Sequence, residues 1–157
     1  MATPRRRSIL APHHAPGGKA VGRGLRYAWA LPATVVGLCV AGLARMGGAT
    51  VNRVDGVLEV AGGRLGRAVG RLPARFRFCA ITFGHVVVGV DHQALDACRT
   101  HEHAHVRQYE RWGLLFFPLY ASSSLWAAVR GNRPYQDNHF ERQARSVARS
   151  LAESPEP

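Results

Sequence analysis

The apolar positions sort into blocks with different periods. Residues 27–44, YAWALPATVVGLCVAGLA, are eighteen positions without a charge, the lower limit for a membrane span. Pro32 is expected to open the helix proper, because its ring suits a first turn and it lacks the N–H that an interior residue needs. From there to Arg45 about fourteen residues remain, or roughly 21 Å at 1.5 Å each, against about 30 Å of hydrocarbon. A buried core helix and a membrane-associated helix are the two competing expectations. Residues 50–60, TVNRVDGVLEV, alternate instead, and Asp55-Gly56 at their centre predicts a β-hairpin with a type I′ turn. GRLGRAVGRL returns to helical intervals at Leu65, Val69 and Leu72. FRFCAITFGHVVVGV, residues 76–90, is aromatic and β-branched around Gly84 and predicts one or two strands.

The last third is helical by the same test. Asp91 is the expected N-cap of a helix running to Arg111 and ended by Gly113. LLFFPLYASSSLWAAV, residues 114–129, forms an apolar helix that stops at Gly131. Pro118 and the serines argue against a clean span, so this helix is expected to pack over the preceding one. Asn138 opens a final helix before an acidic tail. The order of elements predicts an α+β fold with a small antiparallel sheet. Four segments follow: a disordered basic extension at 1–26, an apolar helix at 27–46, the main domain at 47–152 and a tail at 153–157.

Composition changes this picture in one respect. With 157 residues, 46% hydrophobic and 20% charged, the chain has a globular balance and room for a single core. The net charge of +11, from twenty arginines and Lys19, is unusual. No common nucleic-acid motif accompanies it, so specific nucleic-acid binding is not expected. A basic surface favours anionic lipid heads and acidic peptides. Six basic residues and no acid precede the block at 27–44. That bias favours membrane association and, if the helix spans, an N-terminus in the cytoplasm; without a membrane role, the cytoplasm is the expected location. RRRSIL weakly resembles a twin-arginine export signal, but the apolar segment starts too far downstream. Cys39, Cys79 and Cys98 form no C-x-x-C pair, which excludes a zinc ribbon. Cys39 and Cys98 fall in apolar helical patterns and read as small core residues; a Cys79–Cys98 bridge stays open.

The chemistry gathers in RTHEHAHVRQYERWG, residues 99–113. His101 and His105 lie four apart, about 40° from each other on one helix face. Their imidazoles can reach one tetrahedral Zn²⁺ at about 2.0–2.1 Å. Glu102 is rotated by about 100° from His101, too far to join as a ligand but placed to take a proton from a metal-activated water. His103, about 200° from His101, is expected on the opposite face. Two histidines alone make a weak site, so a third ligand is needed. Glu141, in DNHFERQA, is the candidate, with His139 a lesser alternative. Asn138-x-x-Glu141 is equally a capping box, in which the glutamate would serve the helix end.

These elements, with GHVVVG, FFPLYASSSLW and PYQDNHFERQA, resemble the gluzincin type of zinc metallopeptidase, and more closely a group of small uncharacterised bacterial proteins. The resemblance spans roughly residues 83–144. It implies a zincin-like fold, His101, His105 and Glu141 as zinc ligands and Glu102 as general base. It also implies Ala144 as a small residue where two helices approach, and HVVVGV as an edge strand that pairs with an extended peptide. Two positions depart from the pattern: His139 stands where the related proteins usually carry proline, and Arg145 where many gluzincins place an aspartate supporting a histidine ligand. Tyr109, Tyr135 and His139 are the candidates for transition-state stabilisation.

The expected function is zinc-dependent hydrolysis of a peptide or protein substrate. The alternative is a non-catalytic membrane-associated protein with a vestigial or structural metal site. A structural zinc is normally closed by four protein ligands, and no obvious fourth is present.

Overall fold

A computed structural model describes residues 17–73 and 78–153, with side chains from residue 24 onward. The fold is α+β. Helix α1 (Gly17–Met46) leads into strands β1 (Thr50–Val54) and β2 (Val57–Ala61), then α2 (Gly63–Gly70) and strands β3 (Ala80–Phe83) and β4 (Val86–Gly89). Helix α3 (His92–Trp112), a short 3₁₀ turn (Gly113–Leu115), α4 (Phe116–Val129) and α5 (His139–Glu153) complete it. The sequence-expected extension before residue 17 and the tail after residue 153 lie outside the described residues.

The two hairpins form where their turns demand them. Asp55 and Gly56 have φ of 50° and 84°, the paired positive angles of a type I′ turn, and Val54 pairs with Val57 across it. The sheet is not purely antiparallel, however. Its order is β1-β2-β4-β3, with β2 and β4 parallel. Each turn sets the antiparallel pairing of its own hairpin, while α2 carries the chain over so that β4 enters alongside β2. Val86, Val87 and Val88 are buried on both faces, the composition of a central strand. HVVVGV is therefore central and not the edge; β3, paired only with β4, is the edge beside α3.

The sheet lies between α1 and α3. On one side Ala41 and Ala44 of α1 meet Val60, Val86 and Val88. On the other, Val57, Ala61 and Val87 meet Leu95 and Val106 of α3. A further cluster joins Ala30 and Ala33 of α1 to Tyr109, Phe116 and Phe140. Gly37 sits where α1 crosses the second hairpin: a Cβ there would stand 2.7 Å from Val86 Cβ and 2.9 Å from Phe83 Cβ.

Helix α1 corrects two expectations. It begins at Gly17, inside the supposed disordered extension, and it runs through Pro32. An interior proline costs about 3 kcal/mol. Burial of Ala30 and Ala33 on both sides of it holds the helix against that cost. The opposite face of α1 is exposed and apolar, with Trp29, Leu31, Val35, Val36, Leu38 and Leu43. Cys39 lies on that exposed side and is not a core residue. The apolar helix expected from residue 114 begins at Phe116, after the 3₁₀ turn, and Pro118 falls in its first turn, where a missing N–H costs little. By length and composition, residues 24–46 and 92–129 are each long and apolar enough to cross a membrane.

Candidate metal centre

Helix α3 presents the histidines. Its N-terminus is fixed by Asp91, whose side chain accepts from Ala94 N–H at 2.7 Å. About three turns on, His101 and His105 point to the same side, with Nε2 atoms 3.1 Å apart. Helix α5 brings the third group. Glu141 Oε2 lies 3.3 Å from His101 Nε2, and Glu141 Oε1 lies 3.2 Å from His105 Nε2. One ligand atom from each lies within 4.8 Å of the others, so the group could hold a metal ion. Glu141 is 2% exposed, and its buried Oε2 has no hydrogen-bond partner. That oxygen is instead faced at ion-pair distance, by His101 Nε2 at 3.3 Å and Arg145 Nη1 at 3.5 Å.

The capping-box reading of Glu141 does not describe its contacts. Asn138 caps α5 by itself: its Oδ1 accepts from Phe140 N–H at 2.8 Å, while its own N–H donates to Tyr135 O. The Asn138 amide also donates to Tyr120 O and Ser124 Oγ. This pins the start of α5 against α4 and leaves the Glu141 carboxylate free to turn towards α3. Ala144, one turn on, is fully buried, which permits the close approach of the helices.

Electrostatics within the triad run in one direction. Burial favours a neutral Glu141, yet hydrogen bonds from His101, His105 and Tyr120 outweigh it and hold the carboxyl well below the usual carboxylate range. Burial opposes charge on His105, but Glu141 outweighs it and raises the imidazole above its ordinary value. The carboxylate thus stays ionised and draws positive charge into the space between the three side chains.

Gln108, Tyr120 and Thr82, which no motif marks, stand around this triad and Glu102. His105 Nδ1 is 2.8 Å from Gln108 Oε1. Tyr120 donates its hydroxyl to Glu141 Oε1 at 2.9 Å. Thr82 on β3 donates to Glu102 Oε2 at 2.7 Å, orienting a carboxylate that is 6% exposed and lies outside the triad. Arg145 lies one helical turn after Glu141 and pairs with that glutamate, not with a histidine. Its Nη1 is 3.5 Å from Glu141 Oε2, and its Nη2 donates to Gln136 O. Gln108, three residues after His105, and Arg145, four after Glu141, carried a local signal on their own helices; Thr82 and Tyr120 did not.

The remaining candidates separate cleanly. His103 bonds Glu59 at 3.2 Å, on the side where Arg99 also grips that buried carboxylate, so it packs α3 on the sheet. His139 is exposed and stacks edge-on against Phe140, away from the triad. Tyr109 is 2% exposed and belongs to the aromatic cluster with Phe116, although its ring also borders the cleft. Tyr135 lies along the cleft. Burial, and then the Glu141 charge, raise the Tyr120 and Tyr135 hydroxyls above their ordinary value, so both are proton donors at neutral pH.

The triad opens on a cleft of about 1230 Å³ between β3, α3 and α4. Its walls are largely apolar, with Phe78, Ile81, Phe83, Phe117, Pro134 and Tyr135 beside His101, Glu102, His105 and Glu141. Cys79 and Cys98 also line it. Their sulfurs are 2.7 Å apart, close enough that the bridge left open by the sequence needs no large movement of the chain. Comparison with protein-family models, characterised proteins and solved structures finds no match to this chain.

Proposed function

We propose that the protein is a zinc-dependent peptide hydrolase of the gluzincin kind, with His101, His105 and Glu141 as ligands and Glu102 as general base. The close approach of two imidazoles and one carboxylate carries this reading: the two Nε2 atoms are 3.1 Å apart, and each has one Glu141 oxygen beside it, Oε1 at 3.2 Å from His105 and Oε2 at 3.3 Å from His101. A tetrahedron whose corners lie about 2.0–2.1 Å from its centre has edges of about 3.3 Å, and that radius is the zinc–nitrogen and zinc–oxygen distance. Two imidazoles and a carboxylate are also a donor set that zinc accepts. Among the described residues the group has three members, which supports an open, catalytic site over a closed, structural one.

Zinc bound by these three residues would supply Lewis acidity, lowering the pKa of a water towards neutrality. The protein's own groups do the rest. Thr82 holds Glu102 Oε2, which leaves Oε1 to take a proton and later return it to the departing amine. Tyr135, protonated and facing the cleft, is the donor best placed to meet a developing oxyanion. The free edge of β3 borders the same cleft and suits an extended peptide added as a further strand. The apolar walls favour bulky apolar side chains on either side of the cleaved bond.

The test is cleavage of a pool of apolar-rich peptides by the purified full chain. Turnover should vanish with a chelator and return with added zinc. Cleavage that persists in chelator, or no cleavage by a zinc-loaded protein, would contradict the reading.

The exposed apolar faces of α1 and α4 support a location at the surface of an anionic membrane. Leu114, Leu115, Leu125, Trp126 and Val129 are all more than half exposed. Arg111 packs over Trp112 and Arg130 over Trp126, so arginine–tryptophan pairs mark both ends of the α4 segment, as at a membrane interface. The net charge of +11 favours anionic heads. Sedimentation with vesicles containing phosphatidylserine should carry the protein down, and salt should weaken the association. Equal binding to purely zwitterionic vesicles would exclude the electrostatic part.

A further inference from the structure

The geometry points to Gln108 as the positioning residue of the metal site: a neutral amide that fixes His105 for coordination. The inference rests on the zinc reading above.

Gln108 is 6% exposed, and both ends of its amide are engaged. Oε1 faces His105 Nδ1 at 2.8 Å. Nε2 donates to Phe140 O at 3.1 Å and to Gln143 Oε1 at 2.9 Å. These two donations settle which end of the amide faces the histidine. Nε2 has two acceptors on α5, so Oε1 is the end left for His105. An amide oxygen only accepts, so Nδ1 of His105 must carry the proton. The lone pair of the neutral ring then lies on Nε2, the atom that faces His101 and Glu141. The choice of tautomer is made by Gln108.

The amide also ties the two ligand-bearing helices together. Gln108 belongs to α3, three residues after His105, and Phe140 immediately precedes Glu141 in α5. One side chain therefore orients His105 and fixes the backbone beside the ligand from the other helix. An amide adds no charge, unlike an aspartate. The ligand set keeps the single negative charge of Glu141, which leaves a bound divalent cation with more of its own charge to act on substrate.

The two roles separate by substitution. Gln108→Met removes both the acceptor for His105 and the donors to α5. Gln108→Glu keeps an acceptor for His105 and loses the donors to α5. Zinc affinity is measured by competition with a chromophoric chelator, and thermal unfolding of the metal-free protein is followed alongside. Gln108→Met should weaken zinc binding about 10–100-fold, the usual cost of losing such a partner. Gln108→Glu should hold zinc at least as well as the parent while its metal-free form unfolds earlier. Unchanged affinity in Gln108→Met, or equal weakening in both variants, would overturn the positioning role. A parent chain that binds no zinc would overturn the metal reading itself, which is a different result. Nitrogen NMR of the histidine rings in the unaltered zinc-loaded chain gives a check independent of any variant: Nδ1 of His105 should carry the proton, and a proton on Nε2 would refute the assignment.

Discussion

Glutamine at position 102 should reduce peptide hydrolysis by about 10²–10⁴-fold, the range of a lost general base, with zinc content unchanged. The substitution keeps the shape of the side chain, and its amide oxygen can still accept from Thr82, which now reaches Glu102 Oε2 at 2.7 Å. The buried position thus keeps its bond to Thr82. What disappears is a carboxylate able to take a proton. The ligand atoms of His101, His105 and Glu141 are untouched, so the metal should remain. The measurement pairs kcat/KM with metal analysis on the same preparations. Full turnover in Glu102→Gln would remove Glu102 from its role, whereas loss of turnover together with zinc would mean that it acts as a ligand.

The parts of this protein that could be read from its sequence are those written in local spacing. Asp55-Gly56 announces a turn because few other dipeptides hold two positive φ angles, and Asp91 announces a helix start because its side chain accepts the N–H three residues on. The histidine pair is of this kind too: four residues on a helix bring two rings together whatever the rest of the chain does. Glu141 is not. Its neighbours fit a capping box as well as a ligand, and the two readings are told apart by where α4 holds Asn138, a contact between segments. Strand order was hidden for the same reason. Each hairpin carries its own turn signal, but nothing in either says that β4 will lie beside β2. Thr82 and Tyr120 reach the site from β3 and α4, and no spacing along α3 could have named them. Pro32 shows the converse, a local helix-start signal overridden by packing on both of its sides.

Alanine at His105 or at Glu141 should lower zinc affinity by far more than about 100-fold, since even the loss of a supporting hydrogen bond costs 10–100-fold and two ligands make a weak site. Removal of Glu141 takes away the only carboxylate of the triad and the negative charge that draws a cation into it. Removal of His105 leaves His101 and Glu141 facing a gap. Neither change touches the Asp91 cap or the valines of the sheet, so both variants should keep the fold. The most direct test is zinc-edge X-ray absorption on the full chain, prepared without a histidine tag and loaded with one equivalent of zinc, alongside zinc analysis of the two variants. The account predicts nitrogen and oxygen ligands at about 2.0–2.1 Å, an imidazole signature and no sulfur, with zinc lost from both variants. Sulfur at about 2.3 Å, which would place the metal on Cys79 and Cys98, or one full equivalent retained without Glu141, would contradict it.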